Sequence, residues 1–263
     1  MLEPSYREAG AGPGVVCLHA NASASGQWRG LMELLAPNFH VIAPDSYDSG
    51  KSPRWPSDRE IRLADEARLI EPLLDKAGAP VVLVGHSYGG AVALISALMF
   101  RPRVRALALY EPTLFSLIEA ESPAPNDADG IRNAVHGSGV ALDAGNPDEA
   151  ARCFIDFWMG EGAWQQTPET RKPPIAESMR NVRRWAYALM TEPAPLDVFS
   201  TLDIPVLYMV GKRSPLPAQG VARRLIPALP QVKVVEFEKL GHMAPVTHPD
   251  PVNQAIKAFL ESI

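Results

Sequence analysis

The segment 85–89 carries residues whose types and spacing suit nucleophilic chemistry. It reads Gly-x-Ser-x-Gly with Ser87 at its centre, between the apolar runs 81–84 and 91–94. This order predicts a buried strand, a sharp turn and a buried helix. Flanking glycines permit the close backbone contacts that such a turn needs, and the turn pushes the serine oxygen outward. We therefore predict Ser87 as a nucleophile, with the following amide of Tyr88 as one donor to an oxyanion.

The alternative interpretation of this segment is a glycine-rich turn that only packs closely or binds a phosphate group. A second stretch, 50–52, reads Gly-Lys-Ser and resembles the end of a phosphate-binding loop. Asp45 stands where the first glycine of that motif would fall, so the match fails. We expect Asp45 to shape a turn near the site, with a role as the catalytic acid as its alternative.

A serine nucleophile needs a base within hydrogen-bond reach, and this base is usually a histidine that a third polar group orients. Among the six histidines, His242 lies just past the last predicted strand, at the same sheet edge as Ser87. His86 adjoins the serine but points away from it on a tight turn, so a structural role is expected. The loop after His19 is small enough to fold over the turn, and we predict the Asn21 amide as the second oxyanion donor.

The elements that must position these residues form an alternating pattern. Short apolar runs alternate with segments whose apolar residues repeat at helical spacing. This pattern predicts an α/β fold, a mostly parallel central sheet with helices on both faces and a ligand site at the carboxyl ends of the strands. The predicted strands fall at 15–18, 39–43, 81–84, 104–110, 205–210 and 232–237.

The alternation stops between about residues 112 and 200, where helix-like segments and proline-rich breaks replace the strands. We predict a helical cap at 112–200, inserted into a core formed by 1–111 and 201–263. Most of the aromatic residues in the cap are expected to be its own core, and a few are expected to line a pocket facing Ser87. The large residues in question are Phe154, Phe157, Trp158, Trp164, Trp185, Tyr187 and Met190.

Composition excludes several classes of function. The net charge of −5 and the absence of a basic block argue against nucleic acids and anionic membrane surfaces as partners. The two cysteines, Cys17 and Cys153, lack metal-ligand spacing, so no metal is expected. No leader-like start and no membrane-length apolar run occur, which predicts a cytoplasmic protein. Its expected partner is a small-molecule substrate. The oligomeric state stays undetermined.

Taken together, these motifs resemble those of the α/β-hydrolase fold superfamily, and the resemblance covers nearly the whole chain. The motifs that carry it lie at 19–20, 43–52, 85–90 and 241–242. The resemblance implies a cap inserted after the sixth strand. It also implies Ser87 as the nucleophile, His242 as the base, and the amides of Tyr88 and Asn21 as the oxyanion hole.

The chain departs from the family at the third member of the triad. The family usually carries an aspartate a few residues beyond the glycine that ends the strand after the cap, and here Ser214 follows Gly211 in its place. Some members take their acid from the end of the strand after the nucleophile helix, where this chain has Glu111 before Pro112. Because Pro112 restricts the conformation of Glu111, we predict Glu111 as the orienting acid. Alternatively, Glu111 binds only cap backbone, and the serine and histidine act alone or not at all.

These residues predict a cofactor-free serine hydrolase that acts on a small carboxylic ester or related acyl compound through an acyl-enzyme. Lactone or amide hydrolysis, perhydrolase or haloperoxidase activity, carbon-carbon cleavage and acyl transfer stay open on the same fold. Haloalkane dehalogenation is disfavoured, because members with that activity resemble one another in carrying an aspartate where this chain has Ser87. The rival from another class is a non-catalytic ligand-binding protein, and the orientation of Glu111 discriminates between the two.

Overall fold

The computed structural model describes residues 3–263, and seven strands within them form one sheet. The strands are β1 (Tyr6–Ala9), β2 (Gly14–Leu18), β3 (His40–Pro44), β4 (Val81–His86), β5 (Val104–Tyr110), β6 (Val206–Gly211) and β7 (Val232–Phe237). Their order across the sheet is β1-β3-β2-β4-β5-β6-β7. Only β1 runs antiparallel to its neighbour, so the sheet is mostly parallel as predicted.

Twelve α-helices connect or flank these strands in the described residues. They are α1 (Arg29–Leu35), α2 (Leu63–Lys76), α3 (Tyr88–Met99), α4 (Ser116–Glu121), α5 (Asp129–Asp143), α6 (Pro147–Met159), α7 (Ala163–Gln166), α8 (Lys172–Ser178), α9 (Val182–Met190), α10 (Leu216–Ala228), α11 (Ala244–Thr247) and α12 (Pro249–Leu260). Short 3₁₀ turns at Ser25–Trp28, Arg101–Arg103, Met179–Asn181 and Leu196–Thr201 complete the chain.

The apolar strands are covered on both faces. Successive side chains of a strand point to opposite sides of the sheet, so a continuous apolar run supplies two cores at once. In β2, Val16 and Leu18 pack in the core that contains α2, α3 and α10. Val15 and Cys17 pack in the core that contains α1 and α12. This division explains why most of the predicted strands are apolar at successive positions; β7, at the edge of the sheet, is the exception.

The register of the parallel strands brings the ends of β4, β5, β6 and β7 to one edge of the sheet. His86 pairs with Tyr110, and Tyr110 pairs with Met209. Gly211 at the end of β6 pairs with Phe237 at the end of β7. The residues that follow these four strands therefore start from neighbouring positions, and this is the edge where the sequence predicts the site.

Residues 112–200, here called the helical insertion, contain α4 to α9 and, as far as the structure describes them, no strand. The insertion follows β5, the fifth strand, and not the sixth strand that the family resemblance implied. The count differs because residues 3–13 form a single strand before β2. The last turn, Leu196–Thr201, crosses the predicted boundary at 200 and buries Phe199 completely in the core shared with α2 and α3.

Candidate active site

Ser87 occupies the tight turn between β4 and α3 with a positive φ of 56° and a ψ of −118°. A non-glycine residue rarely adopts this conformation, which is typical of strained functional turns. A Cβ atom at Gly85 would lie 2.5 Å from the carbonyl oxygen of Gly89. One at Gly89 would lie 2.2 Å from the carbonyl oxygen of Leu18, so both positions require glycine.

His242 lies between the serine and a carboxylate. Its Nε2 atom is 2.9 Å from Oγ of Ser87, and its Nδ1 atom is 2.7 Å from Oε2 of Glu111. The carboxylate can only accept at Nδ1, so Nδ1 carries the proton and Nε2 accepts from the serine hydroxyl. All three side chains are buried, with Ser87 6%, His242 2% and Glu111 0% exposed. The structure therefore brings these three predicted residues into one hydrogen-bonded chain.

The second carboxylate oxygen of Glu111 is held by β6 and the loop that follows it. Oε1 accepts hydrogen bonds from the Gly211 amide at 2.7 Å and from the Ser214 hydroxyl at 2.6 Å. Donors to a carboxylate stabilise its charged form and fix its orientation. Ser214 thus supports the acid from the position where the family carries its aspartate, a role that our sequence analysis missed. The sequence did contain a signal for this role, because a residue at the position of the family's aspartate is expected to lie near the catalytic imidazole.

Asp45, the alternative candidate for the acid, is engaged elsewhere. Its Oδ1 accepts from the Ser25 amide at 2.6 Å, and its Oδ2 accepts from the Lys51 amide at 3.2 Å. A Cβ atom at Gly50 would lie 2.2 Å from Oδ2 of Asp45, so the turn closes tightly around this carboxylate. The structural role predicted for Asp45 fits these contacts.

His86 holds the backbone of His242. Its Nε2 donates to the carbonyl oxygen of His242 at 2.8 Å, and its Nδ1 accepts from Nε2 of Gln27 at 3.1 Å. Burial, together with the nearby His242, holds the pKa of His86 well below its ordinary value, so this imidazole stays neutral. The Tyr110 hydroxyl donates to the neighbouring Gly241 carbonyl at 2.8 Å. Two buried side chains therefore fix the loop that presents His242.

Trp158 on α6 covers the outer face of the imidazole. Its ring stacks on that of His242, with centroids 4.0 Å apart and planes 26° from parallel. Trp158 is only 7% exposed and also stacks on Phe115. The helical insertion therefore contacts the catalytic histidine candidate directly and shields it from water. The sequence placed Trp158 among several aromatic residues but gave no signal for this contact.

The two predicted oxyanion donors lie beside the serine. Asn21 and Ser87 line the same cavity, and Tyr88 is the first residue of α3. Among residues 3–263, no backbone carbonyl accepts a hydrogen bond from the amide of Tyr88 or of Asn21. The Tyr88 side chain turns into the core, where its hydroxyl donates to Oε1 of Glu66 at 3.3 Å. Within the described part of the chain, both amides are therefore free of backbone partners, which is the condition that the predicted oxyanion role requires.

Glu66 is a buried acid next to this site. Its Oε2 accepts from the Tyr47 amide at 3.2 Å, and its side chain contacts Tyr88, the residue after the nucleophile. Burial is the main cause that raises the pKa of Glu66 to about 8. Glu66 is therefore largely protonated at neutral pH and acts as a neutral hydrogen-bonding group in the core.

Two neighbouring cavities meet at Trp158. The inner cavity has a volume of about 20 Å³ and contains Ser87, Asn21 and Thr113 among apolar side chains. The outer cavity has a volume of about 350 Å³ and shares Asn21, Phe154 and Trp158 with the inner one. Four of the seven large residues predicted as pocket candidates line the inner cavity. They are Phe154, Trp158, Trp185 and Met190.

Neither a metal centre nor a membrane span emerges from the part of the chain that the structure describes. Within residues 3–263, no three side chains of His, Cys, Asp or Glu are grouped so that they could hold a metal ion. In the same range, no helix combines the length and the apolar character needed to cross a bilayer.

Comparisons with known proteins agree with this architecture. A sequence model of the alpha/beta hydrolase family matches residues 15–255. The lipase LipV of Mycobacterium tuberculosis is 30% identical, over 94% of this chain and 92% of its own length. A haloalkane dehalogenase of Bradyrhizobium diazoefficiens is 25% identical, over 98% of this chain and 91% of its own length.

Solved structures show the same fold. MGS-M2, an alpha/beta hydrolase enzyme from a Medee basin deep-sea metagenome library, superposes with a TM-score of 0.81 at 15% identity. The match covers 98% of this chain and 94% of that protein. At such low identity the likeness carries the fold alone, whereas the family match extends over most of the sequence. The chain belongs to the alpha/beta hydrolase family.

Proposed function

We propose that this protein is a serine hydrolase that cleaves small carboxylic esters or related acyl compounds. The observation that carries the proposal is the unbroken chain from Oγ of Ser87 through His242 to Glu111, with distances of 2.9 and 2.7 Å. A serine at a strained turn, a base within reach and a carboxylate on the far nitrogen are the parts that acyl transfer needs.

Acylation begins when Oγ of Ser87 attacks the substrate carbonyl carbon and transfers its proton to Nε2 of His242. The Glu111 carboxylate accepts the Nδ1 proton throughout and stabilises the imidazolium that forms. Negative charge develops on the carbonyl oxygen, and the amides of Tyr88 and Asn21 are the donors proposed to stabilise it. The imidazolium then protonates the leaving group, and an acyl-enzyme remains.

Deacylation repeats these steps with water as the nucleophile. His242 accepts a proton from the water, which attacks the acyl carbon, and then returns a proton to Oγ of Ser87. Gly211 and Ser214 donate to Glu111 and hold its carboxylate in the orientation that faces His242 through both half-reactions. Burial of the triad strengthens these interactions because little water screens them.

The inner cavity favours a short acyl group. Its volume of about 20 Å³ is close to that of a single water molecule by the same measure. Its walls are mostly aromatic and aliphatic side chains of the helical insertion, including Phe154 and Trp185. An acetyl group therefore fits with little rearrangement, and longer chains require the insertion to move.

Two alternatives are less well supported. A ligand-binding protein with a decayed triad would not need the Glu111 carboxylate to face His242, as it does at 2.7 Å. One relative bears the name haloalkane dehalogenase, but the family resemblance implies an aspartate nucleophile for that reaction, and this chain has Ser87. The name lipase of another relative fits ester hydrolysis.

Hydrolysis of p-nitrophenyl acetate, butyrate and octanoate by the parent and by Ser87→Ala tests the proposal. We expect measurable activity in the parent, highest on acetate, and none above the uncatalysed rate in the variant. A serine-directed fluorophosphonate should label the parent and leave Ser87→Ala unlabelled. Equal rates in the two proteins, together with an unlabelled parent, would overturn the proposal. Lactone, amide and peracid-forming assays on the same pair then test the related chemistries.

A further inference from the structure

The outer cavity lies beside His242, the residue that donates a proton to the leaving group in the proposed mechanism. Met243, the residue after His242, lines this cavity, and Trp158, which stacks on the imidazole, forms part of its wall. In the proposed mechanism the imidazolium donates its proton to the leaving group, so that group must lie on the side of Ser87 that His242 faces. The inner cavity then holds the acyl group, and the outer cavity receives the alcohol.

The outer cavity is much larger than the inner one. Its 350 Å³ falls within the range of ordinary small-ligand sites, compared with 20 Å³ for the inner cavity. Its lining includes the polar side chains of Gln166 and Thr167 and the apolar side chains of Phe154 and Ile155. The two cavities together fit an ester of a short acyl group with an alcohol or phenol that contains one six-membered ring.

One charged side chain lines the outer cavity. Of the lining residues, all of which lie within the described range 3–263, only Arg171 carries a charge. No carboxylate among residues 3–263 forms a salt bridge with Arg171. The nearest carboxylate in sequence, that of Glu169, pairs instead with Lys172 at 2.5 Å.

The acidic residues of the adjoining groove are also engaged by other arginines. Arg171 separates the outer cavity from a groove that contains Asp48 and Glu177. Asp48 pairs with Arg184 at 2.5 Å, and Glu177 pairs with Arg180 at 2.7 Å. The Arg171 guanidinium is therefore left to bind an anion from outside the protein, and its planar fork suits a carboxylate or phosphate group.

We infer that Arg171 selects substrates whose leaving group carries an anionic substituent. The preferred substrate class is a short-chain ester of a ring-sized alcohol or phenol that bears a carboxylate. This inference rests on the proposed function and adds to it the chemistry of the alcohol. Arg171 is exposed at the rim of the cavity, so its contribution is that of an exposed ion pair, about fivefold in kcat/KM.

A matched pair of acetyl esters tests the inference. The substrates are 4-acetoxybenzoate, which carries the carboxylate, and 4-acetoxybenzamide, its neutral analogue of nearly the same shape. We expect the parent to prefer the anionic ester about fivefold in kcat/KM, mainly through a lower KM. Arg171→Gln should abolish this preference, because kcat/KM should fall more for 4-acetoxybenzoate than for the neutral ester 4-acetoxybenzamide. The preference of the parent should also shrink at high ionic strength, since salt screens exposed charges.

Arg180→Gln is the control variant, because it removes one positive charge from the same face of the insertion without lining the outer cavity. It should retain the preference of the parent. Equal kcat/KM for the two esters in the parent, or an unchanged ratio in Arg171→Gln, would overturn the inference while the proposed function stands. Failure of the parent to hydrolyse either ester, together with no fluorophosphonate labelling, would overturn the proposed function itself.

Discussion

The α/β core and the helical insertion contribute to the site in different ways. Every atom of the hydrogen-bonded chain from Ser87 to Glu111 comes from the ends of core strands or the loops after them. Buried hydrogen bonds position these atoms. The insertion contributes apolar walls and one stacked ring, that of Trp158. Under the proposed function, the core carries the reaction chemistry and the insertion selects the substrate.

The polar contacts of the two regions differ as well. Several ion pairs of the insertion join exposed residues one helical turn apart, such as Arg152 with Glu149 and Arg180 with Glu177. Exposed pairs of this kind each contribute about 0.5 kcal/mol. By contrast, the pair of His242 and Glu111 is almost wholly buried. Changes in the core should therefore affect every substrate equally, whereas changes in the insertion should alter the ranking of substrates.

The largest effect is expected for Glu111→Gln. The Gln oxygen can still accept from Gly211 and Ser214, but its amide would donate to Nδ1 of His242 and force the wrong tautomer. We expect kcat to fall about 10⁴-fold on all esters with little change in KM. Steady-state kinetics on acetate and butyrate esters measure this, and circular dichroism monitors the fold. A fall of less than tenfold would assign the acid role elsewhere.

Ser214→Ala, which also changes the α/β core, should have a smaller effect than Glu111→Gln. It removes one of the two donors to Oε1 of Glu111 and leaves the Gly211 amide in place. A hydrogen bond to a charged group contributes about 2 kcal/mol, so kcat should fall roughly 30-fold, equally for all esters. Ser200→Ala, an exposed serine at the end of the insertion, is the control and should leave kcat unchanged.

Trp158→Leu tests the insertion. Loss of the stacked ring enlarges the inner cavity, so activity on acetate should fall about tenfold while the butyrate-to-acetate ratio rises. Trp164→Leu is the matched control, because Trp164 is also buried in the insertion but lines neither cavity. If Trp158→Leu lowered the activity on all esters by the same factor, the insertion would not determine which substrate is preferred.

The last effect concerns Glu66 in the core and is measured as protein stability, not as catalysis. The pKa of Glu66 is about 8 in the folded state against an ordinary 4.5. Between these values the folded state binds more protons than the unfolded one, so the free energy of unfolding falls as pH rises. Glu66 contributes up to about 1 kcal/mol per pH unit to this slope.

Glu66→Gln cannot titrate and should flatten that slope between pH 5 and pH 8. Urea denaturation at four pH values measures the slope in both proteins. Glu60→Gln, an exposed carboxylate just before α2, is the control and should keep the slope of the parent. Parallel stability curves for Glu66→Gln and the parent would show that Glu66 is charged in the folded state.

The sequence predicted the core well, because its signals are local. The apolar runs and the pattern around Ser87 dictated strand, turn and helix. The parallel sheet with helices on both faces is confirmed by the fold and the family match. The position of His242 just past the last predicted strand made it the candidate base, and the family resemblance pointed to Glu111 at the end of the strand before Pro112. The structure brings these residues together, and their catalytic roles stay predictions until the variants are measured.

What the sequence could not predict depends on contacts between distant segments. The stacking of Trp158 on His242 joins residues that lie 84 positions apart and requires the packing of α6 on the core. Several side chains in the insertion are apolar and at helical spacing, so no local signal distinguishes Trp158 from Trp164. The bond from Ser214 to Glu111 likewise spans the whole insertion, with a separation of 103 residues. This hydrogen bond forms because β5 and β6 pair in the sheet, which brings the residues after the two strands together.

The bond between Ser214 and Glu111 also bears on how such an active site could change over evolutionary time. Two strand ends, those of β5 and β6, reach the same carboxylate, and the family places its acid at either one. An intermediate with acids at both positions would bring two carboxylates to nearly the 2.6 Å that now separates Ser214 Oγ from Glu111 Oε1, and one would have to hold a proton. A serine at one end avoids that repulsion, so a hydroxyl-bearing intermediate offers one route by which the acid moves from one strand end to the other.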